Sequence, residues 1–258
     1  MDRSFLSDDS VVAASRSFVC IRALTYESKS EGEFLANIFR GRGGELENSV
    51  FAILDPSGKK ITRGGRSPGM VFGGPTEQAQ IEAMVTKMME IAKRYPGTDS
   101  AAKQSLPYLA DLRRGLNAAS CDLQPLVVVA DVDSTRLAAL EESVATLAWS
   151  AEFVGAFAFA RVTDFAELTQ IGVVGAESGG IFVVAPDAYG LEGKVLAHAD
   201  GPHSAAIAAA LRAATKSYEA RAKDSRKHIR KGMRTGKKWE PETPVTDPHH
   251  PKETGVRL

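Results

Sequence analysis

One order of secondary-structure elements occurs twice in this sequence, and it limits the folds that the chain can adopt. The first copy is indicated by an apolar extended run at 18–24, a helical pattern at 31–39, and extended runs at 49–54 and 59–63. A turn at Asp55-Pro56-Ser57-Gly58 joins the last two runs as a hairpin. A similar order returns over residues 157–197. The sequence therefore predicts two copies of one α/β unit.

The clearest single strand is the apolar run at 125–130, because a continuous stretch rich in valine is typical of a strand buried on both faces. Two carboxylates and a hydroxyl follow it at Asp131, Asp133 and Ser134. Functional groups of α/β proteins often lie at the ends of strands, so these three residues form a candidate polar site. The alternative is a helix cap, made by Asp133 or Ser134, followed by a solvated turn.

The remaining elements are predicted from the spacing of apolar residues and from capping residues. Helices are expected at 10–15, 75–95, 106–119, 134–149, 165–171 and 202–218, and strands at 157–162, 181–184 and 194–198. The helix at 106–119 is expected to connect the two lobes.

Length and composition indicate an ordinary globular protein with two lobes. The chain has 258 residues, of which 43% are hydrophobic and 25% are charged. No apolar run approaches the ~20 residues of a membrane-spanning helix. The first ten residues contain no apolar segment of the signal-peptide kind. As written, the chain is expected to be cytoplasmic.

Two cysteines, Cys20 and Cys121, exclude a disulfide framework and a metal site built from cysteine alone. Cys20 lies between Val19 and Ile21 in an extended run, so we expect a buried, inert thiol. Cys121 lies in a linker-like segment, where we expect exposure. Both remain candidate thiols.

Positive charge is concentrated near the carboxyl end. Residues 212–238 contain eleven Lys and Arg against two acids, although the net charge of the chain is zero. The candidate basic patch consists of Arg226, Lys227, Arg230, Lys231, Arg234, Lys237 and Lys238. Such a stretch predicts contact with an anionic surface or a nucleic acid, or else a solvated helix end. Few aromatic residues lie within this stretch, which disfavours recognition of individual nucleic-acid bases.

The last residues, 239–258, are rich in Pro, Thr, Glu and His, and we expect residues 221–258 to form a disordered tail. His249 and His250 lack a third ligand nearby, so the sequence predicts no metal and no cofactor.

The order strand, helix, strand, hairpin and closing helix, with Leu54-Asp55-Pro56-Ser57-Gly58-Lys59 at the hairpin, resembles the thioredoxin fold. Residues 4–12 with 18–22 are similar to the part of thioredoxin-like proteins just after their Cys-x-x-Cys. The second lobe resembles the complete fold. The resemblance implies two tandem thioredoxin-like lobes, each a central sheet flanked by helices, with the first lobe lacking its first strand. The expected division is 1–98, a connecting segment at 99–123, a second lobe at 124–220, and the tail.

This sequence differs from the thioredoxin family at positions on which the family's redox activity depends. A thioredoxin acts through a low-pKa cysteine at a helix N-terminus and a second, resolving cysteine. In the second lobe the corresponding turn reads Asp131-Val132-Asp133-Ser134-Thr135, which contains no sulfur. The family's proline before the third strand is also missing, since these positions are occupied by residues 47–49 and 178–180. The resemblance then implies a redox-inactive second lobe.

Three functions remain open from the sequence. The first is a redox-inactive scaffold that binds a protein partner through a groove or an edge. The second is a thiol–disulfide oxidoreductase whose Cys-x-x-Cys lies upstream of Met1, in which case the natural chain is longer and export is an alternative location. The third is a binder of nucleic acid or of an anionic surface through residues 212–238. We favour the first for the chain as written.

Overall fold

The computed structural model describes residues 5–21, 23–25, 28–44, 46–47, 49–96, 105–109, 111–220 and 224–237. The described residues form two compact units, an N-terminal unit within 5–96 and a C-terminal unit within 105–237. Each unit has its own hydrophobic core.

The N-terminal unit is mainly helical. Its helices are α1 (Asp9–Ser15), α2 (Lys29–Ile38), α3 (Pro68–Phe72) and α4 (Glu77–Arg94), and a short 3₁₀ segment precedes them at Phe5–Ser7. Each helix begins at a side chain that accepts a hydrogen bond from the first turn. These caps are Asp8, Ser28, Ser67 and Thr76.

The core of this unit forms around one face of α4. Ile81, Met84, Met88 and Ile91 are buried there at helical spacing, together with Ile53 and two residues of α1. The long helix and its apolar stripe agree with the sequence prediction.

The strands predicted in this unit are wrong for the described residues. Residues 18–21 and 23–24 are not paired as a strand, and Val19 and Ile21 are exposed. The run at 49–54 makes only isolated antiparallel bridges. Phe51 pairs with Gly65, which lies beyond the run at 59–63, and Leu54 pairs with Lys60. The predicted turn is present, because the Asp55 carboxylate accepts hydrogen bonds from Ser57 N and Lys59 N.

The C-terminal unit is built on a four-stranded mixed sheet and has an α/β architecture. The strands are β1 (Leu126–Ala130), β2 (Ala158–Val162), β3 (Gly180–Pro186) and β4 (Gly193–Ala199). Their order is β2-β1-β3-β4. β1 is parallel to β2 and antiparallel to β3, and β3 pairs antiparallel with β4. The apolar run at 125–130 is therefore a central strand, as predicted.

The helices α5 (Leu112–Asp122), α6 (Ser134–Ala148) and α7 (Ser204–Ser217), with a 3₁₀ segment at Phe165–Ile171, cover the two faces of this sheet. A further helix, α8 (Ser225–Arg234), contacts the turn between β3 and β4. Alternate residues of β1 point to opposite faces. Val127 and Val129 pack with α6 and α7, whereas Leu126 and Val128 pack with α5 and the 3₁₀ segment.

Two further expectations need correction. The helix expected at 106–119 begins only at Leu112, and its residues Leu112 and Leu116 are fully buried in the core of the C-terminal unit instead of connecting two lobes. Part of the expected disordered tail is helix α8, which Asp224 caps. Residues 238–258 lie outside the described part of the chain, including Lys238, His249 and His250 of the sequence analysis.

The outer edge of β2 is partly covered. Leu109 forms a parallel bridge with Ala160, in which Leu109 N donates to Phe159 O at 2.9 Å and Arg161 N donates to Leu109 O at 3.0 Å. β4, at the other edge, pairs only with β3 among the described residues.

Candidate functional site

The turn between β1 and α6 contains the three residues of the predicted polar site. Asp131 follows β1 directly, and it is 3% exposed. Its Oδ1 accepts a hydrogen bond from Asp133 N at 2.9 Å, and its Oδ2 lies 3.3 Å from Arg136 Nε. A buried carboxylate needs such partners, because desolvation without them is costly. Asp131 therefore holds the turn in place.

Asp133 caps α6. Its Oδ1 accepts hydrogen bonds from Thr135 N at 2.8 Å and from Arg136 N at 2.9 Å. Ser134 is the first residue of the helix, and its side chain is exposed. The structure thus brings the three residues together, with both carboxylates bonded to the backbone of the turn.

Glycines approach the same turn from the start of β3. A Cβ atom on Gly179 would overlap the carbonyl oxygen of Ala130 and lie 2.8 Å from the Cα of Asp131. Ala130 is paired with Gly180 in the sheet. The loop before β3 can pack this closely only because Gly179 has no side chain.

His198 lies at the same end of the sheet. Its ring stacks on Phe182 with centroids 4.4 Å apart, and its Nδ1 lies 3.3 Å from the exposed carboxylate of Asp200. The pairing of β3 with β4 places Phe182 directly opposite His198 and so supplies this stacking partner.

Val132 is the one apolar residue of the turn, and its side chain is 66% exposed. It stands between Asp131 and Asp133, whose side chains bond to the backbone. Sequence analysis did not select it, although an apolar residue between two carboxylates in a turn is a usable signal. The turn therefore presents a fixed apolar side chain to solvent.

The two cysteines lie in different units, and neither belongs to this turn. Cys20 is exposed, so the expectation of a buried strand cysteine is wrong. Nearby atoms still desolvate its thiol in part and raise its pKa, which lowers the fraction of reactive thiolate. Cys121 is exposed as predicted, but it lies near the end of α5 rather than in a linker.

The basic patch forms part of a helix. Among its described members, Arg226, Lys227, Arg230, Lys231 and Arg234 lie on α8, and Lys237 follows it. All six are exposed.

Helix α8 is attached to the turn between β3 and β4 through Tyr189. The rings of Tyr189 and His228 stack with centroids 4.3 Å apart, and the Tyr189 hydroxyl donates to His228 O at 3.3 Å. A Cβ atom on Gly232 would lie 2.9 Å from Tyr189 Cε1, so glycine permits this close contact.

The part of the chain that the structure describes offers little evidence for a metal site, an enclosed ligand pocket or a membrane-spanning helix. No group of three or more His, Cys, Asp or Glu residues is placed to hold a metal ion there. An open depression of about 440 Å3 is lined by Thr169, Gln170, Gly172, Leu191, Glu192 and Gly193. Its lining offers one titratable group, Glu192. No helix within the described ranges has the length and apolar character to cross a membrane.

Comparison of this chain with protein-family models, with curated proteins and with solved structures finds no match.

Proposed function

We propose that the C-terminal unit is a thioredoxin-like domain without thiol chemistry, which binds a protein partner through the turn between β1 and α6. The order of its elements supports the fold in this proposal: strand, helix, strand, 3₁₀ segment, hairpin and closing helix. This is the order on which the resemblance of residues 124–220 rests. The described residues of the N-terminal unit make bridges instead of strands, so the proposal concerns the C-terminal unit.

The observation that supports binding of a protein partner is the set of residues that form the turn between β1 and α6. The resemblance places the Cys-x-x-Cys here, and this chain has exposed Val132 between two structural carboxylates instead. Disulfide exchange requires a thiolate that attacks and a second thiol that resolves. An apolar side chain on a rigid turn can instead fill a pocket of a partner, at little cost in conformational entropy.

The absence of thiol chemistry is tested by insulin reduction with dithiothreitol as the electron source. We expect the chain to leave the uncatalysed rate unchanged. An acceleration that is lost in the Cys20→Ser, Cys121→Ser double variant would contradict the proposal. Acceleration by a longer natural chain, but not by residues 1–258, would support the oxidoreductase with cysteines upstream of Met1.

The binding surface is tested by photo-crosslinking in a lysate of the native cells. A benzophenone amino acid replaces Val132 in one variant and Val154 in the matched control. Both valines are largely exposed, at 66% and 56%, and they lie near opposite ends of α6. The control therefore carries the same label in the same unit at a different place.

We expect the label at residue 132 to give a discrete protein adduct at least about tenfold more abundant than the label at 154, since buried contacts at an interface carry most of the binding energy. An excess of unlabelled wild-type chain should compete, whereas Val132→Asp chain should not. Equal adducts from both positions would show that the turn is not the binding surface.

A further inference from the structure

Helix α8 presents four columns of side chains, and each has a different character. His228 and Gly232, one turn apart, face Tyr189. Ile229 and Met233 form the neighbouring column and are 54% and 73% exposed. The remaining two columns are cationic and consist of Arg226, Arg230 and Arg234, and of Lys227 and Lys231.

The exposed apolar pair lies between the attached column and the arginine column, because successive residues of a helix are about 100° apart. Two large apolar side chains are thus held in solvent directly beside a row of guanidinium groups. Residues 224–237 contain six Lys and Arg and a single acid, Asp224, which is engaged as the cap of the helix.

We propose that α8 binds the surface of an anionic phospholipid bilayer, with Ile229 and Met233 inserted at the level of the headgroups and the arginine column on the lipid phosphates. A cationic helix with an apolar stripe and low overall hydrophobicity has the composition of a helix that lies in the membrane interface. The surface is distinct from Val132 and does not depend on the function proposed for that turn.

Two observations favour a bilayer over a nucleic acid. Binding to single strands gains most from aromatic rings on which bases stack, and α8 has no aromatic residue besides His228, whose ring is stacked on Tyr189. Exposed Ile229 and Met233 would gain nothing from a phosphate backbone. In a bilayer interface they leave water, and the neighbouring arginines can reach the phosphates.

The attachment to Tyr189 is compatible with such docking. It engages the column of His228 and Gly232 and leaves the apolar and arginine columns exposed together. The helix is therefore held in shape before it meets the surface, which reduces the entropy lost on binding.

The test is co-sedimentation of the full chain with vesicles. One set contains one third phosphatidylglycerol and two thirds phosphatidylcholine, and the other contains phosphatidylcholine alone. We expect partition onto the anionic vesicles only, and weaker partition at about 0.15 M salt than at low salt, because the Debye length shortens.

Three double variants separate the contributions. Arg230→Gln with Arg234→Gln removes two charges from α8, and Ile229→Ser with Met233→Ser removes the apolar pair. Lys194→Gln with Lys216→Gln removes the same charge from exposed positions on β4 and α7 as a matched control. All six side chains are exposed, so each variant should keep the far-UV circular dichroism of the wild type.

Each cation near an anionic leaflet is worth about a fivefold factor in partition, so the arginine variant should bind roughly 20- to 30-fold more weakly. The Ile229, Met233 variant should lose about tenfold, and the control should stay within about twofold of wild type. Absence of partition onto anionic vesicles would overturn the proposal. Equal partition of the wild type and the Ile229, Met233 variant would also overturn it, because charge alone would then explain the binding and any polyanion would suffice.

A nucleic-acid surface is the competing outcome. If an RNA or DNA fragment displaces the chain from vesicles, and if the arginine variant weakens binding to that fragment while the apolar variant does not, the bilayer proposal fails. Failure of the vesicle test leaves the crosslinking result at Val132 unaffected, and the reverse also holds.

Discussion

At the scale of single residues, the buried hydroxyl of Tyr108 has an unusual environment. Its ring packs edge-on against Phe159, with centroids 6.1 Å apart, and the Arg161 guanidinium lies 5.3 Å from the ring centroid. The hydroxyl itself makes no hydrogen bond with the described residues. A buried polar group without a partner has lost its bonds to water and gained none in exchange.

We therefore expect Tyr108→Phe to be neutral or stabilising by up to about 1 kcal/mol near pH 7. The free energy of unfolding can be measured by urea titration in a Trp239→Phe background, so that fluorescence reports on Trp149 alone. A clear destabilisation by Tyr108→Phe would mean that the hydroxyl has a bonding partner.

The same substitution should change how stability depends on pH. Burial, and then the negative charge of Glu141, raise the pKa of Tyr108 well above its ordinary value. A folded-state pKa above that of the unfolded chain gives stability that is present below about pH 10 and is lost as pH rises further. Wild type should thus weaken above about pH 10 more steeply than Tyr108→Phe.

At the scale of elements, the sequence predicted the C-terminal sheet well because its two central strands, β1 and β3, are largely buried. The run at 125–130 could be interpreted only as a strand. It contains β1, which lies in the centre of the sheet. The segments predicted at 157–162, 181–184 and 194–198 lie within or overlap β2, β3 and β4. Burial on both faces leaves a continuous apolar pattern that sequence analysis can detect.

The same reasoning failed for the apolar run at 18–24. Val19, Cys20 and Ile21 are typical of strands, but strand propensity mainly reflects packing against neighbours in a sheet. The described residues of this run have no paired strand beside them, and these three side chains stay exposed. A local pattern cannot reveal whether a partner strand exists.

The candidate site illustrates a similar limit. The sequence located Asp131, Asp133 and Ser134, and it offered capping as the alternative for Asp133, which is the bonding that the structure contains. It could not foresee that Gly179 packs against Asp131, because strand pairing brings together residues almost fifty positions apart. Contacts of this kind follow from topology, which local spacing does not encode.

Helix α8 was missed for a related reason. Its residues carry too few apolar positions for a periodic signal, so composition favoured disorder. The helix is held by a cap at Asp224 and by the contact of His228 and Gly232 with Tyr189. Only the second of these requires the tertiary structure, and it also fixes which columns remain exposed.

At the scale of the whole molecule, charge is divided along the chain. Residues 99–211 contain fourteen Asp and Glu against six Lys and Arg, and residues 224–237 reverse this balance. The negative charge that balances the basic stretch thus resides mainly in the first part of the C-terminal unit. Such a division favours an oriented approach to an anionic surface, with α8 leading.

The two units also differ in the size of their cores. The described core of the C-terminal unit has eighteen buried residues on one face of the sheet and twelve on the other, whereas the N-terminal unit has seven. Each cluster draws its residues from one unit only. The hydrophobic contribution to stability scales with the apolar area removed from water, so the C-terminal unit should be the more stable.

We expect the units to open separately in native-state hydrogen exchange, followed by mass spectrometry on the full chain. Amides of β1 should exchange slowest, and those of the bridged hairpin at 51–65 should exchange at least about 100-fold faster, since isolated bridges open locally.

Two buried substitutions provide matched controls for this expectation. Leu140→Ala in α6 and Met84→Ala in α4 each empty a position that is almost fully buried, and each should cost about 3 kcal/mol. Leu140→Ala should accelerate exchange in β1 and leave residues 51–65 unchanged, while Met84→Ala should do the opposite, because Met84 shares a cluster with Ile53. Acceleration of both regions by either variant would mean that the chain unfolds as one cooperative body, and the separation of the cores would then have no energetic consequence.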